Sequence, residues 1–194
     1  MRKTWFSGLW LVTLSMFLTP IDAVAMAGFA QAQDDQEIIN YVAYSESLAS
    51  SGQPTQAQLE AISRVGLERV IYLAFADHET SLSGEDRIVR DLGMQFVHIP
   101  VVWSAPTVAD YELFAAVMQQ SEGVNTLVHC QVNWRASSFV FLYRVIVLGV
   151  PMNDAVLALN SIWTPSDGWR EFIVAVLKAH DLKPDCEFCA ELES

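Results

Sequence analysis

Residues 128–137 read VHCQVNWRAS. An apolar run ends in His129-Cys130, four residues follow, and Arg135 opens a helix-forming stretch. The residues before the cysteine predict a buried strand over 125–130. The run behind the arginine predicts a helix over Arg135–Leu148, ended by Gly149. That helix is apolar nearly all round, as buried helices are, and too short and clearly bounded to cross a membrane. A strand-loop-helix corner turns successive backbone N–H groups, and the positive end of the helix dipole, toward one point. Such a nest binds anions and stabilises a thiolate held within it. A guanidinium adds a planar fork for two oxygens of phosphate or sulfate. Cys130 therefore reads as a nucleophile facing a bound tetrahedral anion. Gln131, Val132, Asn133, Trp134, Arg135, Ala136 and Ser137 read as the cradle. His129 is placed to orient the loop, and Ser137 or Ser138 to hydrogen-bond the thiolate or assist the leaving step. Each residue alone has a plainer reading: a buried thiol fills core, a buried histidine packs, an arginine at a helix start is solvated. The combination on one strand end points to function.

The pattern around this corner repeats strand and helix. INYVAYSESLASSGQPT (39–55) gives one or two short strands and a Gly-Gln-Pro turn. Thr55 caps a helix over Gln56–Val65, with Leu59, Ile62 and Val65 on one face and Gly66 at its end. RVIYLAF (69–75) is a buried strand. SGEDRIVRDLG (83–93) is a helix with Ser83 as cap and Gly93 as stop. MQFVHIPVVW (94–103) is the next strand. Pro106 and Thr107 open a helix from Val108 to about Gln120 that turns Tyr111, Phe114, Ala115 and Met118 inward. Two helices, roughly Asn153–Ile162 and Asp167–Leu182, finish the domain. Strands alternating with helices imply an α/β single domain, a mainly parallel central sheet flanked by helices on both faces. Ligands bind beyond the carboxyl ends of such strands, and Cys130 stands at one of those ends.

The chain begins differently. Arg2 and Lys3 precede an apolar stretch from Trp5 to Leu18, and Ala23-Val24-Ala25 and Ala30-Gln31-Ala32 both fit an A-x-A cleavage pattern. Residues 1–32 read as a secretory signal peptide, the alternative being an uncleaved anchor. Residues 33–182 form the domain and 183–194 an acidic tail. The protein is expected in the periplasm or secreted, with no membrane association after cleavage. The formal charge of the full chain is −12. The leader carries Arg2, Lys3 and Asp22, so its loss leaves −13. That balance argues against nucleic acid as a partner, and leaves any site for an anion needing local positive charge. Of three cysteines, Cys186 and Cys189 (CEFC) are spaced for a disulfide in an oxidising compartment. They lack the further ligands a metal requires, so neither metal nor cofactor is expected. Cys130 is then an unpaired thiol in an exported protein, which calls for a reason.

SGQPT (51–55), GLERVIYL (66–73), LGMQFVHIPV (92–101), LVHC (127–130), RAS (135–137) and IW…GW…F (162–172) fall in the order found in one family. Over residues 40–178 the chain resembles the cysteine-dependent tyrosine and dual-specificity phosphatase superfamily. More closely, it resembles the bacterial branch related to the phosphatase-like domain of beta-lactamase-hydrolase-like proteins. The resemblance implies phosphoester hydrolysis, on a phosphorylated protein or a small phosphoester, through a phosphocysteine on Cys130. Arg135 would bind the phosphoryl group and Ser137 match the hydroxyl after the arginine.

Two departures stand out. The superfamily places five residues between Cys and Arg, usually with Gly three after the Cys. Here there are four, and Asn133 takes the Gly position, where a left-handed backbone suits Asn better than most residues. One fewer amide lines the cradle, and Arg135 is expected to enter the helix about 100° from the family's direction. Trp134 should narrow the mouth or stack on a flat substrate group. The superfamily also has an aspartate general acid roughly thirty residues before the cysteine, where this chain reads HIPVVWSAP without an acid. Asp110 follows Thr107 at capping-box spacing. Asp77 and Glu79 lie on the loop after another strand. All three remain candidates. Two alternatives to hydrolysis stay open: a degenerate anion-binding domain, or rhodanese-like sulfur transfer through a Cys130 persulfide.

Overall fold

The β-branched and aromatic runs form one five-stranded sheet in a computed structural model that describes residues 37–120 and 123–192. The expected leader, residues 1–32, lies outside the described residues. The strands are β1 (Val42–Ala43), β2 (Leu48–Ser51), β3 (Arg69–Tyr72), β4 (Gln95–His98) and β5 (Thr126–His129). Their spatial order is β1-β2-β5-β3-β4. Only the β1–β2 pairing is antiparallel; β2–β5, β5–β3 and β3–β4 are parallel. β5 is therefore central, and its carboxyl end is flanked by those of β2 and β3.

The helices are α1 (Gln56–Arg64), α2 (Glu85–Asp91), α3 (Val108–Gln119), α4 (Trp134–Ile146), α5 (Met152–Asn160) and α6 (Asp167–Ala179), with a 3-10 turn over Glu187–Leu192. The two-residue period of a strand divides the core. Val70 and Leu127 pack on one face with Leu59 and Ile62 of α1 and Val89 of α2. Ile71 and Val128 pack on the other with Phe114 of α3, Phe139 and Leu142 of α4 and Ile173 of α6. The residues of α4 from Arg135 to Tyr143 are all buried, as an apolar helix between a sheet and two further helices must be. No helix among the described residues is long and apolar enough to cross a membrane.

Thr55 and Thr107 cap α1 and α3 as the sequence predicts, each in a reciprocal capping box, with Gln58 and Asp110. Tyr111, Phe114, Ala115 and Met118 are the buried face of α3. Several boundaries differ: β3 ends at Tyr72, not Phe75, and α4 ends at Ile146, not Leu148. The N-cap of α2 is Gly84 at φ 71°, not Ser83. β4 ends at His98 rather than running to Trp103: it is an edge strand, and Pro100 has no N–H for a ladder. Cys186 and Cys189 are joined in a disulfide. Both are buried, and Phe188 between them packs on Phe141, so the tail closes over α4.

Candidate active site

Loops leaving β2, β3, β4 and β5 converge at the carboxyl edge of the sheet around a cavity of about 800 Å³, a size usual for small-molecule sites. Cys130, the residue after β5, lines it. The thiol is nearly inaccessible from bulk water, the residue being 1% exposed. Gln53–Gln56 close one side, Thr80–Leu82 another, and Trp103 and Trp134 a third.

The loop from Cys130 to the start of α4 is tied on both flanks. Gln53 N–H donates to the Gln131 carbonyl at 3.0 Å, and Cys130 N–H to that of Ser51 at 3.3 Å. Asn133 Nδ2 donates to the Asn40 carbonyl at 2.6 Å while Asn40 Nδ2 donates to that of Val132 at 3.0 Å. Asn133 has φ 71° and is the N-cap of α4, so it does occupy the left-handed position read from the sequence. The N–H groups of Trp134, Arg135 and Ala136, in the first turn of α4, have no carbonyl within the helix to bond. They supply the positive helix end beside the thiol.

The short loop does not carry Arg135 away from Cys130. Its side chain turns inward and is 8% exposed. Nε donates to the Val101 carbonyl at 3.1 Å and Nη1 to Gln131 Oε1 at 2.6 Å. The guanidinium lies 5.2 Å from the Trp103 ring centre and shares the cavity lining with Cys130, close enough for the sulfur to act on it electrostatically. Burial pulls it down from its usual range, and the adjacent sulfur opposes that. Held by a carbonyl, an amide oxygen and an aromatic face, the fork has one geometry, which favours an oxyanion in place of Gln131 Oε1.

Other loop residues have separate roles. Ser137 N–H donates to the Asn133 carbonyl at 2.9 Å, and the Ser137 and Ser138 hydroxyls to that of Trp134 at 3.2 and 2.9 Å, so both serines serve the helix. Val132 stands at the rim, 39% exposed; Ala136 is wholly buried. His129 is sealed beneath the loop, stacked on Tyr72 with ring centres 4.6 Å apart and its Nε2 3.0 Å from Glu85 Oε1. Trp134 stacks face to face on Trp163, 5.1 Å between centres. Trp103 touches Trp134, Trp163 and Trp169, and its carbonyl accepts from Trp169 Nε1 at 2.9 Å.

No carboxylate lines the cavity among the described residues. Asp110 Oδ2 accepts from Thr107 N–H at 2.8 Å and from its hydroxyl at 2.7 Å, committed to the α3 cap. Asp77 and Glu79 are exposed on the loop after β3 and do not line the cavity, whereas His78, between them, does. His78, Trp103 and the Asn40 clamp went unread in the sequence. Nothing local marks a residue whose role depends on loops brought together from elsewhere in the chain.

A family model described as "DSP-PTPase phosphatase fused to NAD+ Kinase" matches residues 21–166. A candidate phosphatase (DUF442) from Shewanella putrefaciens CN-32 is 32% identical, with TM-score 0.68 over 75% of this chain and 95% of that one. TpbA of P. aeruginosa shares the fold at 17% identity and TM-score 0.58, over 80% of this chain and 92% of its own. A "Beta-lactamase hydrolase-like protein" of Xylella fastidiosa is 32% identical over 104 residues, 52% of this chain and 24% of that protein. The chain thus spans about a quarter of the length of the curated relatives it matches. With a family match over most of the sequence, and a 32% identical relative covered nearly whole, the chain belongs to the DSP-PTPase phosphatases described as fused to NAD+ kinase.

Proposed function

We propose that the protein hydrolyses phosphomonoesters through a phosphocysteine on Cys130, outside the cytoplasm once the basic-apolar leader has directed export. The observation that carries this reading is Arg135 turned onto Cys130 at the positive end of α4, in the floor of a cavity. In the first step the Cys130 thiolate attacks phosphorus while Arg135 and the α4 amides hold the non-bridging oxygens, whose charge they stabilise as the ester bond breaks. Water then attacks the phosphocysteine and regenerates the thiolate.

The walls point to the alcohol part of the substrate. Ile39, Pro54, Leu82, Val132, Trp103 and Trp134 make them largely apolar, and Arg135 is the one Lys or Arg among the described lining residues. A single phosphoryl group on a flat or apolar alcohol suits that lining better than a multiply phosphorylated one. Phosphotyrosine is one such group; TpbA has been solved with it.

Turnover of 4-nitrophenyl phosphate by the reduced protein, beside Cys130→Ser and Arg135→Ala, tests the proposal. The expected result is hydrolysis abolished by Cys130→Ser and lowered at least about 100-fold by Arg135→Ala. Hydrolysis that survives Cys130→Ser, or none in the wild type, rejects it. Tight binding of phosphate without turnover would leave an anion-binding domain, the reading that the carboxylate-free lining favours next.

A further inference from the structure

Resting on the phosphatase reading above, we propose that His78 is the proton donor to the leaving oxygen and, in the second step, the acceptor from water. Departing alkoxides need a proton, and three titratable side chains line the cavity among the described residues: Cys130, Arg135 and His78. Cys130 is the nucleophile. A guanidinium does not release its proton in proteins. An imidazole both gives and takes protons near neutral pH, and His78 is the one present.

The local structure suits the role. His78 stands on the loop between β3 and α2 and lines the same cavity as Cys130 and Arg135. Its Nδ1 accepts from Thr80 N–H at 3.2 Å and lies 2.9 Å from Thr80 Oγ1, an arrangement that puts the neutral ring's proton on Nε2. The proton is exchanged at Nε2: in the imidazolium, and in the tautomer it leaves behind, Nδ1 keeps its proton and donates it to Thr80 Oγ1 in place of accepting from Thr80 N–H. The loop itself is anchored. Ser81 Oγ lies 2.6 Å from the buried Tyr72 hydroxyl and donates to the Phe75 carbonyl at 2.8 Å. Asp77 and Glu79 flank His78 in the chain, both exposed. The loop after β4, where the superfamily's aspartate is expected, presents Trp103 to the cavity instead.

The proton balance closes. As the Cys130 sulfur bonds to phosphorus, the ester P–O bond breaks with its electron pair on oxygen. That oxygen takes the Nε2 proton of the His78 imidazolium and leaves as the alcohol. Water then adds to phosphorus as the S–P bond breaks, its proton goes to neutral Nε2, and inorganic phosphate departs from a restored thiolate and imidazolium.

The test is leaving-group dependence. Wild type, Cys130→Ser, His78→Gln, Asp77→Asn and Glu79→Gln are assayed on 4-nitrophenyl phosphate and on phenyl phosphate. Nitrophenolate leaves unaided and phenolate does not. His78→Gln is expected to lower kcat on phenyl phosphate about 100-fold or more, and on the nitrophenyl ester several-fold at most, with KM little changed on either. An equal loss on both esters makes His78 a binding or loop residue and overturns the proposal, as does no loss on either. A selective loss in Asp77→Asn or Glu79→Gln, with His78→Gln unaffected, moves the role to that carboxylate. In all these outcomes Cys130-dependent turnover stands, so His78 fails alone. Without Cys130-dependent turnover of either ester, both proposals fall together.

Discussion

Asn133 adopts φ 71° at the point where the loop turns into α4. For an ordinary L-residue that backbone costs about 1–2 kcal/mol, and Asn bears it better than most because its short amide finds local partners. Here the amide leaves the loop and bonds the Asn40 carbonyl, and Asn40, itself at φ 48°, returns a bond to Val132. Alanine at 133 loses one bond and keeps the strain; glycine loses the bond and relieves the strain. Asn133→Ala is therefore expected to destabilise by about 2 kcal/mol and Asn133→Gly by under about 1 kcal/mol. Urea midpoints of the three proteins decide it. Equal losses would mean that the side-chain bond matters and the left-handed backbone does not. The Asn-for-Gly exchange was legible in the sequence, because its physics is that of one residue. The Asn40 partner was not, because it stands 93 positions away.

At the scale of elements, the cavity depends on how closely two loops approach. Gly52, directly after β2, has the Gln131 carbonyl oxygen 2.7 Å and the Ile39 side chain 2.8 Å from where a Cβ would stand. Those are overlaps, and the oxygen belongs to the backbone that forms the anion cradle. Gly52→Ala must push the 131–133 segment or the 39–40 clamp outward. The expected outcome is a stability loss of about 1–3 kcal/mol and at least a tenfold weaker affinity for orthovanadate, since displacement of about 1 Å at a reacting centre is costly. Calorimetric titration measures the second; wild-type affinity in Gly52→Ala would show that the cradle does not lean on this contact. In the sequence Gly52 reads only as part of a turn. Thr55 and Thr107, by contrast, announce their helices because a cap is a local contract between a side chain and the next turn. The start of α2 was misplaced for the converse reason: a glycine N-cap offers no side-chain signal, and Ser83 beside it does. The tryptophan wall is assembled from the loop after β4, the first turn of α4, the segment after α5, and α6. Sequence periodicity finds those elements without saying that Trp103, Trp134, Trp163 and Trp169 meet.

At the scale of the whole molecule, the response to alkali follows from where the tyrosines lie. Burial raises Tyr41, Tyr44, Tyr72 and Tyr111, Tyr44 to about 12. For Tyr44 the Ser50 hydrogen bond and the Arg144 charge pull the other way but do not win. An unfolded tyrosine ionises near pH 10. Below that pH both states keep the phenol proton and the stability is fully present. Between pH 10 and 12 the unfolded chain releases protons that the folded chain retains, so stability falls as pH rises. Tyr44 alone accounts for roughly 2 kcal/mol by pH 12, set against net stabilities of about 5–15 kcal/mol for ordinary domains. With three further tyrosines shifted in the same direction, and a chain already at −12, unfolding is expected before pH 12. Near-UV circular dichroism of the tryptophan cluster against pH measures it, with Tyr44→Phe as the control. Phenylalanine gives up the 2.8 Å bond to Ser50, so the variant starts about 1 kcal/mol less stable at pH 8. It has no proton to hold, so its stability should decline less steeply above pH 10 and meet or pass the wild type before pH 12. Parallel curves through that window would show that Tyr44 ionises as freely in the folded protein as in the unfolded one, and that the alkaline loss has another source.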